Sequence, residues 1–339
     1  MPTVAAVHPL GPGLDPVTLA PPWAQRRDAG RALVRLPAGV PGLQWAIRRQ
    51  LTQLFGGPDL GSPGQPGLLP RDAVSWRVLA EPASIAGGVR SLLLQTTHPL
   101  AMAGVAQHSR YETDPLGRLA GTSSWVTVGT FGSAEQALAI ARRVRAMHVR
   151  VRGHAADGRA YAADDPDLLA WVQSTLTASL LATHQRFAPR PLDPAARDRF
   201  ILEQSALGAV LDPRVDLSTL RGDVVAGADR LPLIAEGRLA TDASGLAASL
   251  RRWSTALEVT DQARATVAFL RRAPLPPAVR PAYRLLLAGV GATLPTSLAT
   301  PLGLTSDAAR VRALAALLAT MRATVGLSPS ATVAHDERR

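Results

Sequence analysis

The helical spacing of apolar residues between Arg71 and Val325 is the feature that most constrains how this chain can fold. Apolar side chains recur every three or four residues, and Pro, Gly, Ser and Asp stand at the breaks. This period favours amphipathic helices. No run alternates apolar and polar residues in a way that demands a strand, and strands do not alternate with helices. The sequence therefore predicts an all-α fold with a buried helical core.

The chain divides into three parts. Residues 1–70 are predicted to form an irregular arm rich in Pro, Gly and Ala, with one amphipathic helix over 43–55 and a Gly/Pro linker. Residues 71–325 form the main helical domain, which is long enough to bury a substantial core. Residues 326–339 are predicted to be disordered.

Capping residues place the helices of the main domain. Ser133 is followed by Gln136 as in a capping box, Pro166 suits the first turn of a helix, and Asp193 stands before Pro194. The predicted helices cover 71–80, 83–96, a segment from 99, 117–128, 133–152, 166–187, 194–211, 245–258, 262–272, 281–294 and 307–325. The segments 108–116 and 153–165 are predicted to be loops.

Composition excludes several kinds of chemistry. The chain has no Cys, which excludes disulfides and thiolate metal sites. All 37 basic residues are Arg, and the absence of Lys excludes a Schiff base and a P-loop lysine. The net charge is +11, but the arginines are scattered and form no basic tract with interleaved aromatics. We predict no nucleic-acid partner, at most peripheral membrane contact, and a cytoplasmic location, since no signal peptide or membrane-spanning run is apparent.

His148 lies on the apolar face of the predicted helix over 133–152. A buried imidazole needs a hydrogen-bond partner or a metal, because an unsatisfied buried polar group is costly. Spacing alone favours a structural histidine bonded to a backbone carbonyl, and metal ligation is the alternative. The same face carries Ala137, Ala141, Val144 and Val151.

Arginines flank this histidine at helical spacing. Arg145 and Arg152 border the apolar face, where they either clamp a carboxylate or reach out to water. A second group, Arg118, Thr122 and Trp125, shares one face of the helix over 117–128. Arg118 needs an anion or carbonyl partner, and an ion pair with Glu112 or Asp114 is the simple alternative.

His98 stands in Thr97-His98-Pro99, between two apolar helices, where capping or bridging them is the simple interpretation. The chain has no HExxH, no ExxH pair, no GxSxG and no GxGxxG after a strand. A hydrolase or a dinucleotide-binding enzyme is therefore disfavoured. An all-α core with solitary inward histidines and nearby arginines leaves haem as a reasonable chemical interpretation.

At these residues the sequence resembles a known family, the MpaB-type oxygenases, which include the catalytic domain of rubber oxygenase (latex clearing protein). The resemblance spans about residues 75–303. It implies one large, globin-like helical domain around a non-covalently bound haem b. The segments that carry it, in order, are LLLQTTHPLAMAGVAQHS, YETDPLGRLAGT, ARRVRAMHVRVRG, YAADDPDLLAWV and AYRLLLAGVGATLP.

The resemblance also implies roles for individual residues. His148, in HVRVRG, matches the proximal iron ligand of the family, and Arg118 and Thr122 match the Arg and Thr that line its haem pocket. Arg118 and Arg145 are then candidates to bind the haem propionates. His98 matches the His of the family's HP pair, with a partly structural role.

One position departs from the family's pattern. Rubber oxygenases carry a Lys just before the Thr, on the distal side of the haem, and here that residue is Gly121. Their distal acid has only Glu112 and Asp114 as nearby counterparts. We therefore predict a haem b oxygenase that uses O₂ on a small hydrophobic substrate, such as an alkene or isoprenoid, with an unidentified electron donor if it needs one. A haem peroxidase or monooxygenase, and a haem- or lipid-binding protein without turnover, are the alternatives.

Overall fold

Helices make up nearly all of the regular secondary structure of the described residues. The structure, a computed structural model, describes residues 59–62, 64–109, 115–275, 277 and 279–327, with the backbone alone for 115–120. The predicted helix over 43–55, most of the predicted arm and nearly all of the predicted tail lie outside these residues. Within them are thirteen α-helices and a single two-stranded sheet, so the all-α prediction is confirmed.

The first five helices follow one another with short breaks. Pro82 precedes the second helix and Pro99 opens the third, positions where the missing proline N–H costs nothing. Ser133 Oγ accepts a hydrogen bond from the backbone N–H of Gln136 at 3.3 Å, which confirms the predicted cap. The helices are α1 (Val74–Ala80), α2 (Ala83–Gln95), α3 (Pro99–His108), α4 (Pro115–Phe131) and α5 (Ala134–His148).

Two long helices form the centre of the molecule, α6 (Pro166–Phe187) and α7 (Pro194–Ala209). Both begin at proline after an aspartate whose side chain caps the helix, which confirms the two predicted prolines and the Asp193 cap; the Asp165 cap was not predicted. The most extensive helix contact is between α2 and α6. Gly87 makes it possible, since a Cβ there would lie only 2.9 Å from the Cα of Leu180.

Six helices complete the fold. The predicted ends of the four longer ones are correct to within a few residues, with one exception. The helix predicted over 245–258 ends at Trp253, and a 3₁₀ turn follows over Ser254–Ala256. The two four-residue helices were not predicted, because they are too short to show a helical period. The six are α8 (Pro232–Ala235), α9 (Ala243–Trp253), α10 (Asp261–Arg271), α11 (Arg280–Gly291), α12 (Thr296–Ala299) and α13 (Ala308–Val325).

A small antiparallel sheet corrects the expectation of a loop over 153–165. Strand β1 (Arg152–His154) pairs with β2 (Ala160–Ala162), with Gly153 opposite Tyr161. Gly158 turns the hairpin with φ +86°, a conformation that glycine adopts without strain. Three-residue strands are too short to show alternation, which explains why the sequence pattern missed them.

The core consists of two main apolar clusters. One joins α2, α6, α7 and the C-terminal helices, and the other joins α4, α5 and α7 to the segment over 215–239. Among the described helices, none combines the length and the apolar character needed to cross a bilayer.

Candidate functional site

The end of α5 determines where His148 lies. The sequence predicted a helix that continues to about Arg152, and this is wrong: α5 ends at His148, and the chain turns through residues 149–151 into β1. Val149 and Val151 are β-branched and weaken a helix. No Gly or Pro stands between Ser133 and Gly153, so the sequence pattern predicts a helix that is too long. His148 is therefore at the C-terminus of α5 rather than in the middle of a buried face.

Three contacts hold the segment after His148 in place. Arg152 Nη2 donates to Asp164 Oδ2 at 2.7 Å, and the backbone N–H of Ala163 donates to the carbonyl of Val151 at 2.9 Å. Tyr161 Oη donates to Gln107 Oε1 at 2.7 Å, which ties the hairpin to α3. The segment that follows His148 is thus held by the hairpin, by α3 and by the residues that lead into α6.

The imidazole of His148 is partly buried and has an unsatisfied nitrogen. Its Nδ1 is buried and has no hydrogen-bond partner among the described residues. Burial lowers the pKa of His148, and the negative charge of Asp164 opposes this only in part. The ring is therefore neutral at neutral pH and offers a lone pair. A neutral imidazole is a ligand that iron and other transition metals accept, so the residue fits the role of a haem ligand.

The helix face that the sequence predicts to be buried is buried only in its first half. Ala137 and Ala141 are fully buried, whereas Val144 is only partly buried, so the face leaves the core as it approaches His148. The two neighbours of His148 are exposed despite being apolar: Met147 keeps 48% and Val149 keeps 50% of its surface accessible. The surface around His148 is therefore unusually apolar for an exposed helix end.

Arg118 and Thr122 lie on the helix that packs against α5. A two-residue link, Gly132 and Ser133, joins α4 to α5, and the two helices are in contact. At 1.5 Å per residue, Arg118 is about 20 Å from Phe131, where α4 ends at the link. His148 is about 21 Å from Ala134, where α5 begins after the link. Both residues are therefore at the ends of this pair that are remote from the link.

Of the three residues that share one face of α4, the structure describes the side chains of Thr122 and Trp125. The side chain of Arg118 lies outside the described residues, as do Glu112 and Asp114. Thr122 is exposed, and Trp125 is buried in the core beside α7. At Gly121, a Cβ would meet no described atom within 4 Å, so the position where the resembling family carries Lys is open.

Arg145 has partners that the sequence did not reveal. Its Nε donates to the carbonyl of Val210 at 3.0 Å, its Nη1 donates to the carbonyl of Val215 at 2.7 Å, and its Nη2 also donates to Val210. Val210 is the C-cap of α7, where unpaired carbonyls carry partial negative charge. The guanidinium is therefore engaged with this helix end, and partners 65 and 70 positions away leave no local signal in the sequence.

His98 caps α3, which confirms the capping interpretation. Its Nδ1 accepts a hydrogen bond from the backbone N–H of Ala101 at 3.4 Å. The ring is buried between Trp171 and Trp253, with both ring centroids 5.6 Å from its own. Burial, with a smaller effect of the Arg159 charge, lowers the pKa of His98 to about 4. The side chain is thus a neutral acceptor at a helix start.

This burial predicts a loss of stability in acid. The unfolded chain binds a proton at His98 near pH 6.5, whereas the folded protein resists it until about pH 4. The free energy of unfolding should therefore fall as the pH drops from 6.5 to 4, by roughly 3 kcal/mol for this residue. His184, whose pKa burial also lowers to about 4, contributes in the same window. Urea unfolding at several pH values measures this slope.

His98→Asn provides the matched control, because asparagine caps helices well but does not titrate in this range. His184 and His148, whose pKa values burial also lowers, keep their share, so we expect the variant to be folded at pH 7 and to show a smaller slope than the wild type between pH 6.5 and 4. An unchanged slope would mean that His98 is not the group responsible.

Comparison with known proteins gives one match. The family model for the catalytic domain of the "ER-bound oxygenase mpaB/B'/Rubber oxygenase" matches residues 76–323, from the middle of α1 almost to the end of α13. No curated protein and no solved structure matches the chain. Among the described residues, no three His, Asp or Glu side chains form a group that could hold a metal ion.

Proposed function

Because the chain belongs to the family of mpaB and rubber oxygenase catalytic domains, we propose that it is a haem b-dependent oxygenase with His148 as the iron ligand. Family membership supports an oxygenase-type oxidoreductase. The observation that carries the haem assignment is the buried Nδ1 of a neutral imidazole, without a partner among the described residues, at the place where the family motif expects a ligand. Haem, when bound, would supply the iron at which O₂ is activated.

The residues of the chain have separate tasks in this proposal. His148 would hold the iron, and its ring stays unprotonated because burial disfavours the charged imidazole. The hairpin and the Arg152–Asp164 ion pair hold the segment that follows His148. Arg118 is our candidate to bind a propionate, and Thr122 is our candidate to orient the bound molecules by hydrogen bonding. We assign Arg145 to the end of α7 rather than to a propionate, because its donors already have acceptors.

The substrate we propose is a small hydrophobic molecule, such as an alkene or isoprenoid. The exposed apolar side chains of Met147 and Val149 beside His148 support it, since exposed apolar surface tends to mark binding sites. Gly121 stands where the resembling rubber oxygenases carry a Lys, so no amine from that position would compete with O₂ or substrate for a bound haem.

Turnover by the haem-loaded protein tests this function. We expect O₂ consumption in the presence of a small alkene, with oxygenated product detected by mass spectrometry. Thr122→Val keeps the side-chain shape and removes the hydroxyl, and we expect it to reduce the rate at least tenfold while hemin uptake is retained. A haem-loaded wild type that consumes neither O₂ nor peroxide with any alkene tested would instead identify a carrier.

A further inference from the structure

A surface cavity between α10 and α11 is lined mainly by arginines. Its volume is about 330 Å³, within the range of small-molecule sites. The end of α10 contributes two adjacent arginines, Arg271 and Arg272. The start of α11 contributes Arg280 and Arg284, which are one helical turn apart and therefore share a face of that helix. The fold thus brings two pairs of positive charges to one cavity.

No acid in this part of the sequence balances these charges. The chain has no Asp or Glu between Asp261 and Asp307, and these two acids pair with Arg264 and Arg310 instead. Among the described residues, no ion pair joins any of the four lining arginines to a carboxylate. Like charges around one cavity repel one another, and a cleft lined by one sign of charge attracts counter-ions. The cavity therefore favours an anion.

Backbone carbonyls hold two of the four guanidinium groups in place. Arg280 Nε donates to the carbonyl of Leu275 at 2.6 Å, and Arg271 Nη1 donates to that of Gly303 at 3.3 Å. A guanidinium carries five N–H donors, so each of these two groups keeps donors for a ligand. Arg284 makes no hydrogen bond or ion pair with any other described residue.

The end of α10 does not account for these arginines. The last carbonyls of a helix attract cations, but here they have other donors. The carbonyl of Leu270 accepts from Tyr283 Oη at 2.9 Å, and that of Phe269 accepts from the backbone N–H of Arg272 at 2.8 Å. The Tyr283 bond also joins α11 to α10, so it fixes the two sides of the cavity relative to each other.

The donors and the surrounding surface select the class of ligand. Guanidinium groups bind phosphate oxygens through paired N–H donors, and a diphosphate has enough oxygens and charge to engage both arginine pairs. The exposed large apolar side chains of the described residues are Met147, Val149 and Val172, and none of them lines this cavity. A surface that binds a bilayer inserts apolar side chains into it. A soluble phosphorylated compound therefore suits the cavity better than a membrane.

We infer that the cavity between α10 and α11 is a binding site for the diphosphate group of a soluble small molecule. Arg271 and Arg272 would contact it from one side, and Arg280 and Arg284 would contact it from the other. The site uses no residue that we assign to haem, so it can be tested in haem-free protein and does not depend on the proposed function.

Calorimetric titration of the full-length protein with inorganic diphosphate, at constant ionic strength, tests the site. We expect one saturable binding event, and weaker binding of inorganic phosphate, which carries less charge and reaches fewer of the arginines. Arg284→Gln should weaken diphosphate binding about tenfold, the loss expected for one hydrogen bond to a charged group. Its melting temperature without ligand should equal that of the wild type, because Arg284 has no partner in the described part of the chain.

A second pair of adjacent arginines provides the control for charge. Arg271→Gln/Arg272→Gln and Arg142→Gln/Arg143→Gln remove the same charge from exposed positions, but only the first pair lines the cavity. We expect the first variant to lose saturable diphosphate binding and the second to bind diphosphate as the wild type does. Circular dichroism checks that both variants are folded.

Sedimentation with phosphatidylcholine vesicles, with and without phosphatidic acid, tests a lipid headgroup as the source of the phosphate. We expect any vesicle binding to be equal in the two double variants. Vesicle binding that only Arg271→Gln/Arg272→Gln loses would overturn the assignment to a soluble compound. The site itself is overturned if the wild type shows no saturable diphosphate binding, if Arg284→Gln binds diphosphate as the wild type does, or if the two double variants bind it equally.

Discussion

Replacing Glu203 by alanine is expected to lower the free energy of unfolding by about 3–5 kcal/mol, the usual cost of breaking a buried charge network. Its side chain is fully buried on α7. Oε1 accepts from the backbone N–H of Val74 at 3.0 Å, and Oε2 accepts from that of Ser75 at 2.8 Å. These are the first two N–H groups of α1, which have no partner within their own helix. Arg199 Nε donates to the same carboxylate at 3.0 Å.

Urea unfolding followed by circular dichroism measures this effect. Glu203→Gln keeps an oxygen acceptor and should lose less than half as much, because one helix N–H stays satisfied. Glu236→Ala is the control for loss of an acid: it pairs with Arg214 and Arg238 at the surface and should cause a much smaller change. If Glu203→Ala and Glu236→Ala were equally stable, Glu203 would not be holding the start of α1.

Replacing Arg145 by alanine is the second large effect we expect, at about 2–4 kcal/mol of unfolding free energy. The estimate follows from the 1.5–3 kcal/mol typical of a hydrogen bond to a charged group and from the non-additivity of bonds that share one side chain. The variant leaves the carbonyls of Val210 and Val215 without the donors that satisfy them now. Arg145→Lys should recover only part of this loss, since one ammonium cannot span both carbonyls.

The same variant separates two roles for Arg145. If it acts on the end of α7, the hemin affinity of folded Arg145→Ala should stay within a few-fold of the wild type while the urea midpoint falls. If it binds a propionate, the affinity should fall more than tenfold with little change in midpoint. The contacts in the structure predict the first result.

Local features of the fold could be predicted from the sequence. The starts of α5, α6 and α7 are set by Ser133, Asp165 and Asp193, whose side chains bond to N–H groups two or three residues away. A cap of this kind is fully encoded in a short segment, so the segment alone reveals it. The end of α5 was predicted too late, because tertiary pairing of the hairpin ends the helix where no breaker residue stands.

Long-range partners could not be predicted. Glu203 binds residues 128 and 129 positions away, and Arg145 binds residues 65 and 70 positions away. Nothing in the spacing of either residue distinguishes it from a solvated surface charge. The same holds for Arg90, whose burial follows from the packing of α2 on α6 and not from its own segment.

The roles of His148, Arg118 and Thr122 stay predictions that come from the family resemblance. The sequence pattern placed His148 on the apolar face of a helix continuing to about Arg152, whereas the helix ends at His148. The structure adds the lowered pKa of His148 and an Nδ1 that has no partner in the described part of the chain, which the resemblance alone does not contain. It also shows that Arg145 donates to the carbonyl of Val215 and that His98 caps a helix.

A hemin titration of the apoprotein, followed by visible absorption, tests the haem assignment most directly. The account predicts a Soret band that saturates at about one equivalent in the wild type and in His154→Ala, an exposed histidine six residues away. It predicts no saturable band in His148→Ala, with circular dichroism showing that the variant is folded. A wild type that takes up no hemin, or a His148→Ala variant that binds hemin as the wild type does, would contradict it.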